Sequence, residues 1–412
     1  MKLYRQIILS LAAVVGLGAA IAQTTQTPYS KMGYGMLNDN VSSTQRAMGG
    51  VGYAMKGGRI INVMNPASYA DVDSLTFLWD VGIDLTNLWS EENGNKGYSF
   101  GGGLDYLTAH FRIAKGLGAS FGLVPYSSVG YSYGGKIDNG SETRAGNGGF
   151  NQLYVGVGYS PIKNFSVGAN FAYLFGTTSN GNLISSTSTS YFTRNMKIRD
   201  WNANLGVLYT LPLMAGRDRL TVGATYQPKK SFHGEAWGTT YDSQDTKVDT
   251  VGFTKMGGNY EQPASIGVGL SYNVNRKVTV EADYTYQKWS DAKYQPITGF
   301  ESENFKFDDR WKVAAGLQFT PNKRGSYYGA MAFRLGAFYN HDYMNYGGNN
   351  VRDYGVSAGV GLPAPGSKTT VNLGFEWRHR ESSPVHLITE NYFNITLGVT
   401  FNELWFWKSR IR

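Results

Sequence analysis

Few residues in this chain have the types and spacing that catalysis needs. The stretches Gly118–Gly122 and Gly355–Gly359 both read G-x-S-x-G, the motif of a serine nucleophile elbow. That motif requires a turn from a strand into a helix, whereas both stretches lie within alternating segments that predict β-strands. The five histidines lack metal-ligand spacing, and the chain has no cysteine. We therefore expect no catalytic residue, no metal, no cofactor and no enzymatic activity.

The composition indicates an exported, β-rich protein. Its 412 residues include 53 glycines, 29 tyrosines, 21 phenylalanines and 9 tryptophans, and only 17% are charged, below the roughly 25% of ordinary soluble domains. The formal charge of +8 includes no long basic run, so no nucleic-acid partner is expected. Lys2 and Arg5 precede the apolar stretch Ile7–Ala22, which ends in Ala-Ile-Ala. This pattern predicts a secretory signal peptide over residues 1–22; an uncleaved anchor is the alternative.

Apolar and polar residues alternate along most of the chain from about residue 75. In Val278–Gln287, for example, Val280, Ala282 and Tyr284 alternate with Glu281 and Asp283. Successive side chains of a strand point to opposite faces, so each such segment predicts a strand with one apolar face. Fourteen strands are predicted, beginning near residues 75, 99, 117, 150, 165, 198, 218, 262, 277, 305, 328, 352, 369 and 389.

The connections between these strands alternate in length. Short turns follow the even strands and mostly longer polar loops follow the odd strands, with the longest at about residues 136–148, 178–196 and 230–260. Aromatic residues also end the apolar stripes: Trp89, Trp201, Trp289, Trp311 and Trp377 at the long-loop end, and Tyr159, Phe165, Tyr209, Tyr272, Phe319 and Phe401 at the short-turn end.

A β-sandwich also alternates, but unequal loop lengths and two aromatic girdles are typical of an outer-membrane barrel. We therefore predict an all-β protein, a 14-stranded antiparallel transmembrane β-barrel over residues 74–402. A C-terminal periplasmic extension, 403–412, follows. The expected location is the cell outer membrane, with lipid around the barrel.

Residues 23–73 lack this alternation and are rich in glycine, serine and asparagine. A fourteen-strand barrel has a lumen too wide for its own side chains to fill. Apolar residues such as Met48, Tyr53 and Ile61 could anchor the segment there, so we predict an N-terminal hatch that plugs the lumen. A disordered periplasmic tail is the alternative.

Some residues on the predicted inward face could bind an apolar ligand that carries a carboxylate. Four apolar side chains break the polar pattern of that face: Leu78, Leu174, Leu208 and Phe338. They could form a pocket wall or pack against the hatch. Three cations point inward by the same register: Lys312, Arg334 and Arg378. They could meet a carboxylate, or form ion pairs with Glu281, Asp283 and Glu376.

The tripeptide Asn65-Pro66-Ala67 stands just before the first predicted strand. With the irregular N-terminal stretch and the fourteen strands, it resembles the FadL-type long-chain fatty acid transporters of outer membranes. In that family a hatch carrying Asn-Pro-Ala plugs the barrel, and a kinked third strand opens the wall sideways. Pro125 in the third predicted strand lacks the N–H that a sheet ladder needs, in agreement with such a kink. A proline at the membrane interface is the alternative.

The resemblance implies passive uptake of hydrophobic small molecules such as long-chain fatty acids. The alternative is a barrel-anchored binding or scaffold protein of a secretion system, with periplasmic or secretion partners. A general diffusion porin would need an open lumen, which the predicted hatch argues against.

Overall fold

The computed structural model describes residues 27–242, 248–297, 305–322 and 326–404. The predicted signal peptide over residues 1–22 lies outside these residues, as do residues 405–412 of the predicted C-terminal extension. In the described part of the chain, no helix is both long enough and apolar enough to cross a membrane.

The fold is a closed antiparallel β-barrel of fourteen strands, as the sequence predicts. The barrel closes where the first strand pairs with the last, with Thr76 opposite Leu404. In chain order the strands are β1 Thr76–Glu92, β2 Asn95–Ala114, β3 Leu117–Ile137, β4 Gly140–Ile162, β5 Phe165–Ser185, β6 Thr189–Leu213, β7 Asp218–Gln227, β8 Ser265–Val274, β9 Val278–Gln287, β10 Arg310–Phe319, β11 Ala332–Tyr346, β12 Asn349–Pro363, β13 Thr370–Ser383 and β14 Thr389–Leu404.

The two faces of the barrel wall reverse the pattern of a soluble protein. On β9, Val280 is 45% exposed on the outer face, whereas the inward Glu281 is only 2% exposed. The same alternation recurs around the wall, so the outside is apolar and the inside is polar. Because a barrel satisfies its backbone hydrogen bonds between strands, this outer surface can face lipid, and the fold is a transmembrane barrel.

The aromatic girdles lie at the two ends of this apolar surface, with one exception. Trp89, Trp201 and Trp377 are exposed at the long-loop end, and Tyr159 and Phe401 at the short-turn end. Trp289 follows β9 at the long-loop end but is only 2% exposed, because its side chain turns inward in the short 3-10 helix Trp289–Asp291. The interpretation of Trp289 as a girdle residue is therefore wrong.

Two of the predicted long loops are in fact extensions of strands. Strands β3 and β4 stay paired as far as Ile137 and Gly140, and β5 and β6 as far as Ser185 and Thr189. Residues 136–148 and 178–196 lie beyond the apolar band and are mostly polar, so they show no regular alternation. For the same reason β4 and β6 begin about ten residues earlier than predicted.

The remaining long connection, around residues 230–260, contains short strands of its own. Gly234–Asp242 pairs with the upper part of β6 and with Val248–Lys255, and Lys230–Ser231 pairs with Glu261–Gln262. The other short elements are the strands Met36–Leu37 and Phe305–Phe307, the α-helical turns Ser43–Arg46 and Tyr327–Ala330, and the 3-10 turns Pro28–Lys31, Pro66–Asp71 and Met214–Gly216.

Candidate functional site

Residues 27–73, here called the N-terminal segment, lie inside the barrel and run along its axis. At the long-loop end the Thr27 hydroxyl donates to Glu390 of β14 at 2.6 Å. Near the short-turn end His110 Nε2 of β2 lies 3.0 Å from the Tyr69 carbonyl oxygen. The segment has little regular structure because local side-chain caps, such as Ser42 with Gln45, start only single turns.

Inward glycines on the wall let the main chain of the N-terminal segment approach the strands directly. A β-carbon on Gly336 of β11 would overlap the backbone of Gly49, and one on Gly158 of β4 would stand 2.6 Å from the Pro66 carbonyl oxygen. Twelve wall glycines have an atom of the segment within 3 Å of the position that a β-carbon would take: Gly118, Gly156, Gly158, Gly168, Gly206, Gly223, Gly267, Gly269, Gly316, Gly336, Gly359 and Gly398. We call these twelve residues the glycine belt.

The tripeptide Asn65-Pro66-Ala67 lies against this belt. The Asn65 amide donates to the Tyr53 carbonyl at 2.7 Å and to the Val207 carbonyl of β6 at 3.1 Å, and its oxygen accepts from the Ala67 N–H at 3.1 Å. Pro66 begins the 3-10 turn, where its missing N–H costs nothing. One side chain thus caps a turn, closes a loop and ties the segment to the wall.

Buried ion pairs add a second attachment. Asp39 of the N-terminal segment lies 2.6 Å from Arg310 and 2.7 Å from Lys312, both on β10. Burial alone would raise the pKa of the Asp39 carboxyl, but the two cations outweigh burial and hold that pKa well below its usual value. On the other side of the lumen, Arg46 pairs with Asp105 of β2 at 2.5 Å.

The four predicted pocket-wall residues are inward and buried, but the structure does not bring them together. Phe338 packs with Met48, Val51 and Met55 of the N-terminal segment. Leu174 belongs to a separate cluster nearer the long loops. Leu78 and Leu208 are fully buried elsewhere along the wall. Their role in ligand binding stays a prediction.

The three predicted cations are also inward, and all have polar partners in the protein. Lys312 pairs with Asp39, Arg378 with Glu376 at 2.9 Å, and Arg334 donates to Gln318 at 2.8 Å and to Asn372 at 2.9 Å. Two of them flank one predicted apolar residue: Lys312 and Arg378 lie 5.0 and 4.9 Å from the centre of the Phe338 ring. A ligand role for these cations stays a prediction as well.

The main cavity of the lumen, of about 90 Å³, is polar. It lies between the N-terminal segment and the wall, and amide side chains such as Asn38, Gln152 and Gln262 line it together with Tyr126 and Arg310. None of the seven predicted ligand residues lines this cavity. In the described chain, no group of three acidic or histidine side chains could hold a metal ion.

The barrel wall parts between β2 and β3. Their pairing runs from the short turn only as far as Leu107 opposite Leu123. Immediately above, the register of β3 with β4 shifts between Pro125 and Ser127. Pro125 therefore lies where the strand leaves the regular sheet, and the upper half of β2 has no partner on β3 among the described residues.

The N-terminal segment covers part of the edge that β3 leaves free. Its short strand Met36–Leu37 pairs with Ser127 and Ser128 of β3. A side cavity remains at the parting, lined by Val41, Ile61 and Val63 from the segment and by Asp105, Val124 and Pro125 from the wall, among others. This cavity measures about 10 Å³, room for roughly one water.

Sequence reasoning missed a group of aromatic residues that closes the long-loop end. Tyr34 of the N-terminal segment is fully buried at its centre, with ring centres of its neighbours 5.1 to 6.0 Å away. This loop-end cluster consists of Tyr34, Phe232, Trp289, Tyr294, Phe307 and Tyr343. The density of aromatic residues in the long loops was the available signal.

Beside the cluster a third cavity, of about 290 Å³, opens at the loop face. Met32, Tyr294, Phe305 and Phe307 line it together with two cations, Arg194 and Lys306. The Arg194 guanidinium also donates to the Lys31 carbonyl oxygen. Apolar side chains and cations therefore occur together in the lining of this loop-face cavity.

The fold is shared with solved structures of hydrophobic-compound transporters. A FadL homologue from Pseudomonas aeruginosa aligns at a TM-score of 0.65 and 13% identity, over 89% of this chain and 99% of that one. The toluene transporters TodX of P. putida and TbuX of Ralstonia pickettii align at TM-scores of 0.63 and 0.62, both at 16% identity. The alignments cover 90% of this chain and 100% of TodX, and 88% of this chain and 98% of TbuX. At such identities the likeness shows the fold alone, and the predicted resemblance to FadL-type proteins is confirmed at that level.

No curated protein sequence matches this chain. A family model does: the model described as BamG matches residues 3–412, so the chain belongs to the BamG family.

Proposed function

We propose that the protein is an outer-membrane channel for the passive uptake of hydrophobic small molecules. The observation that carries this proposal is the parting of β2 and β3 above Leu107 and Leu123. A closed β-ladder leaves no way from lumen to lipid, whereas this gap gives an apolar molecule an exit sideways into the bilayer. The molecule then never has to cross the polar lower lumen, which would cost it the free energy of leaving an apolar environment.

The proposed route begins at the loop face. The cavity beside the loop-end cluster catches the ligand, and Arg194 in its lining suits the carboxylate of a long-chain fatty acid. The ligand then moves past Tyr34 into the lumen and leaves between β2 and β3. Because the side cavity holds only about one water, the N-terminal segment must shift to let the ligand pass. In this role the segment acts as a hatch.

Export through a cleaved signal peptide of residues 1–22 is part of the same proposal. The toluene transporters that share the fold make small aromatic hydrocarbons one ligand class to test, beside long-chain fatty acids.

The experiment compares cells that make the protein with cells that make none. Membrane fractionation first establishes that the protein is in the outer membrane, and entry of radiolabelled toluene and oleate is then measured. Faster entry of either compound is the expected result, and the faster of the two identifies the ligand class. If each compound enters the two kinds of cell at the same rate, with the protein folded in the outer membrane, the proposal of uptake is rejected.

A second candidate is a barrel-anchored scaffold, and one observation favours it. The strand Val248–Lys255 pairs only with Gly234–Asp242 in the described chain, so a further strand could be added along its outer edge. Val248, Val251 and Phe253 are exposed there. Crosslinking from this edge to another protein in intact cells, with no effect on uptake, would favour the scaffold.

A further inference from the structure

Basic residues gather on the outer wall of the barrel at its long-loop end. On β6, Lys197, Arg199 and Trp201 point outward, since the residues between them are buried on the lumen side. Glu235 pairs in register with Lys197 on one side and with Lys255 on the other, so three neighbouring strands carry a row of charges. We call Lys197, Arg199, His233 and Lys255 the basic cluster.

The charges of this cluster are largely unpaired. Within the described chain Lys197, Arg199 and Lys255 form no ion pair, and the only carboxylate among the residues that line their groove is Glu235. His233 Nδ1 lies 3.1 Å from Asp200, a buried carboxylate that also contacts Lys230. The groove between these side chains is open and has a volume of about 420 Å³.

The girdle residue Trp201 shows where the basic cluster lies relative to the membrane. Trp201 is 51% exposed and stacks on Phe171, with ring centres 4.8 Å apart. Exposed tryptophans of this kind lie at the level of the lipid headgroups. Two residues along a strand span about 7 Å, so Arg199 and then Lys197 stand just beyond the aromatic belt, where headgroup phosphates lie.

We propose that the basic cluster binds the phosphate groups of an anionic lipid in the outer leaflet. A guanidinium and two ammonium groups within about 10 Å match a phosphorylated headgroup, and Trp201 and Phe171 below them face the acyl chains. The cations lie on the lipid-facing side of the sheet, which favours a lipid over free phosphate. This inference rests on the outer-membrane location in the proposed function and not on uptake.

The test uses the full-length protein in nanodiscs of zwitterionic lipid, with native mass spectrometry to count retained lipids. The probes are bisphosphorylated lipid A, a phosphorylated glucosamine disaccharide with acyl chains, and the same lipid without phosphates. The variant is Lys197→Gln with Arg199→Gln and Lys255→Gln. The matched control, Arg112→Gln with Lys115→Gln, removes positive charge at the short-turn end. Heat-dependent gel migration establishes that each barrel is folded.

Retention of the phosphorylated lipid should fall at least about tenfold in the triple variant, because each cation near a membrane surface contributes a measurable share of the binding. The control should retain it like the parent, and the dephosphorylated lipid should bind parent and variant equally weakly. Equal retention of the phosphorylated lipid by parent and triple variant would overturn the proposal. So would its displacement by an equal concentration of inorganic phosphate, since the site would then recognise free phosphate.

The two proposals fail separately. A folded outer-membrane barrel without phosphate-dependent lipid retention overturns only the lipid site. Unchanged entry of toluene and oleate overturns only the uptake channel.

Discussion

The side-chain oxygen of Asn65 occupies the space where a β-carbon on Gly206 would stand. The same asparagine donates a hydrogen bond to the carbonyl of Val207, the next residue of β6. Because Gly206 has no side chain, the wall leaves room for the Asn65 amide of the N-terminal segment. Contacts of this kind recur along the glycine belt and hold the segment in the lumen.

The belt predicts a specific cost for adding one methyl group. Gly206→Ala would place a β-carbon on Asn65, so either the amide or the strand must move. Overpacking of this kind costs about 1–3 kcal/mol, and we expect the free energy of unfolding to fall by that amount in urea titrations of the detergent-solubilised barrel. Gly135→Ala is the matched control, because nothing surrounds that position within 4 Å. Equal stability of the two variants would show that the belt does not seat the segment.

The ion pairs of Asp39 predict a pH dependence of stability. The pKa of Asp39 is held below its usual value by Arg310 and Lys312, so its charged form stabilises the folded protein. This contribution is complete above the ordinary carboxyl pKa of about 4 and is lost as pH falls below it. Unfolding midpoints of the parent and of Asp39→Asn should therefore differ at neutral pH and converge in acid. A difference that persists unchanged at the lowest pH would contradict the assignment.

The loop-end cluster predicts that Tyr34 seals the lumen. Tyr34→Ala removes the ring on which Phe232, Trp289 and Tyr294 pack, and truncation of a buried aromatic residue costs about 3–5 kcal/mol. We expect the variant to conduct ions in planar lipid bilayers where the parent does not. Tyr328→Ala, at a side chain that is 75% exposed, serves as control. A silent Tyr34→Ala barrel would place the seal elsewhere.

The position of Arg194 in the loop-face cavity predicts that a charged ligand depends on its guanidinium for entry and an uncharged ligand does not. If its guanidinium meets a carboxylate at the loop face, Arg194→Gln should slow oleate entry about tenfold, the worth of one charge-assisted hydrogen bond. Toluene carries no charge, so its entry should stay at the parental rate. Arg144→Gln, which removes a loop-end arginine paired with Glu142, is the control. Equal slowing of both compounds would indicate damage to the entrance and no role in recognition.

The strands were predictable because the lipid imposes a simple rule on them. A wall with lipid outside and polar groups inside must alternate, and β9 shows this residue by residue from Val280 to Thr285. The rule ends where the lipid ends, which is why the upper parts of β4 and β6 were predicted as loops. Trp289 was misplaced for a related reason, since a turn can direct an aromatic side chain inward.

The candidate site was predictable only in part. The alternation set the inward direction of Lys312, Phe338 and Arg378, and the structure brings these three side chains together. Their partners were not predictable, because Asp39 belongs to a segment without periodicity. The glycine belt did leave a signal in the sequence: Gly158, Gly168 and Gly206 occupy inward positions that pair across neighbouring strands. That signal has meaning only once the register is known.

The parting of the wall was less accessible to sequence reasoning. Pro125 marks the position where regular pairing is hard to continue, but a proline alone does not tell how far two strands separate. The length of unpaired β2 and the cover that Met36–Leu37 gives to β3 follow from tertiary contacts.

The gap between β2 and β3 as the route of uptake can be tested by blocking it reversibly. The chain has no cysteine, so Val41→Cys, at the side cavity, introduces a single thiol for a bulky methanethiosulfonate reagent. Ile60→Cys is the matched control, a half-buried β-branched residue of the same segment that packs on the Phe338 cluster instead.

Mass spectrometry measures modification, and toluene and oleate entry is followed before modification, after it and after reduction. We predict that modification at position 41 stops entry, that reduction restores it, and that modification at position 60 has no effect. Unchanged entry through a barrel fully modified at position 41 would contradict the lateral route.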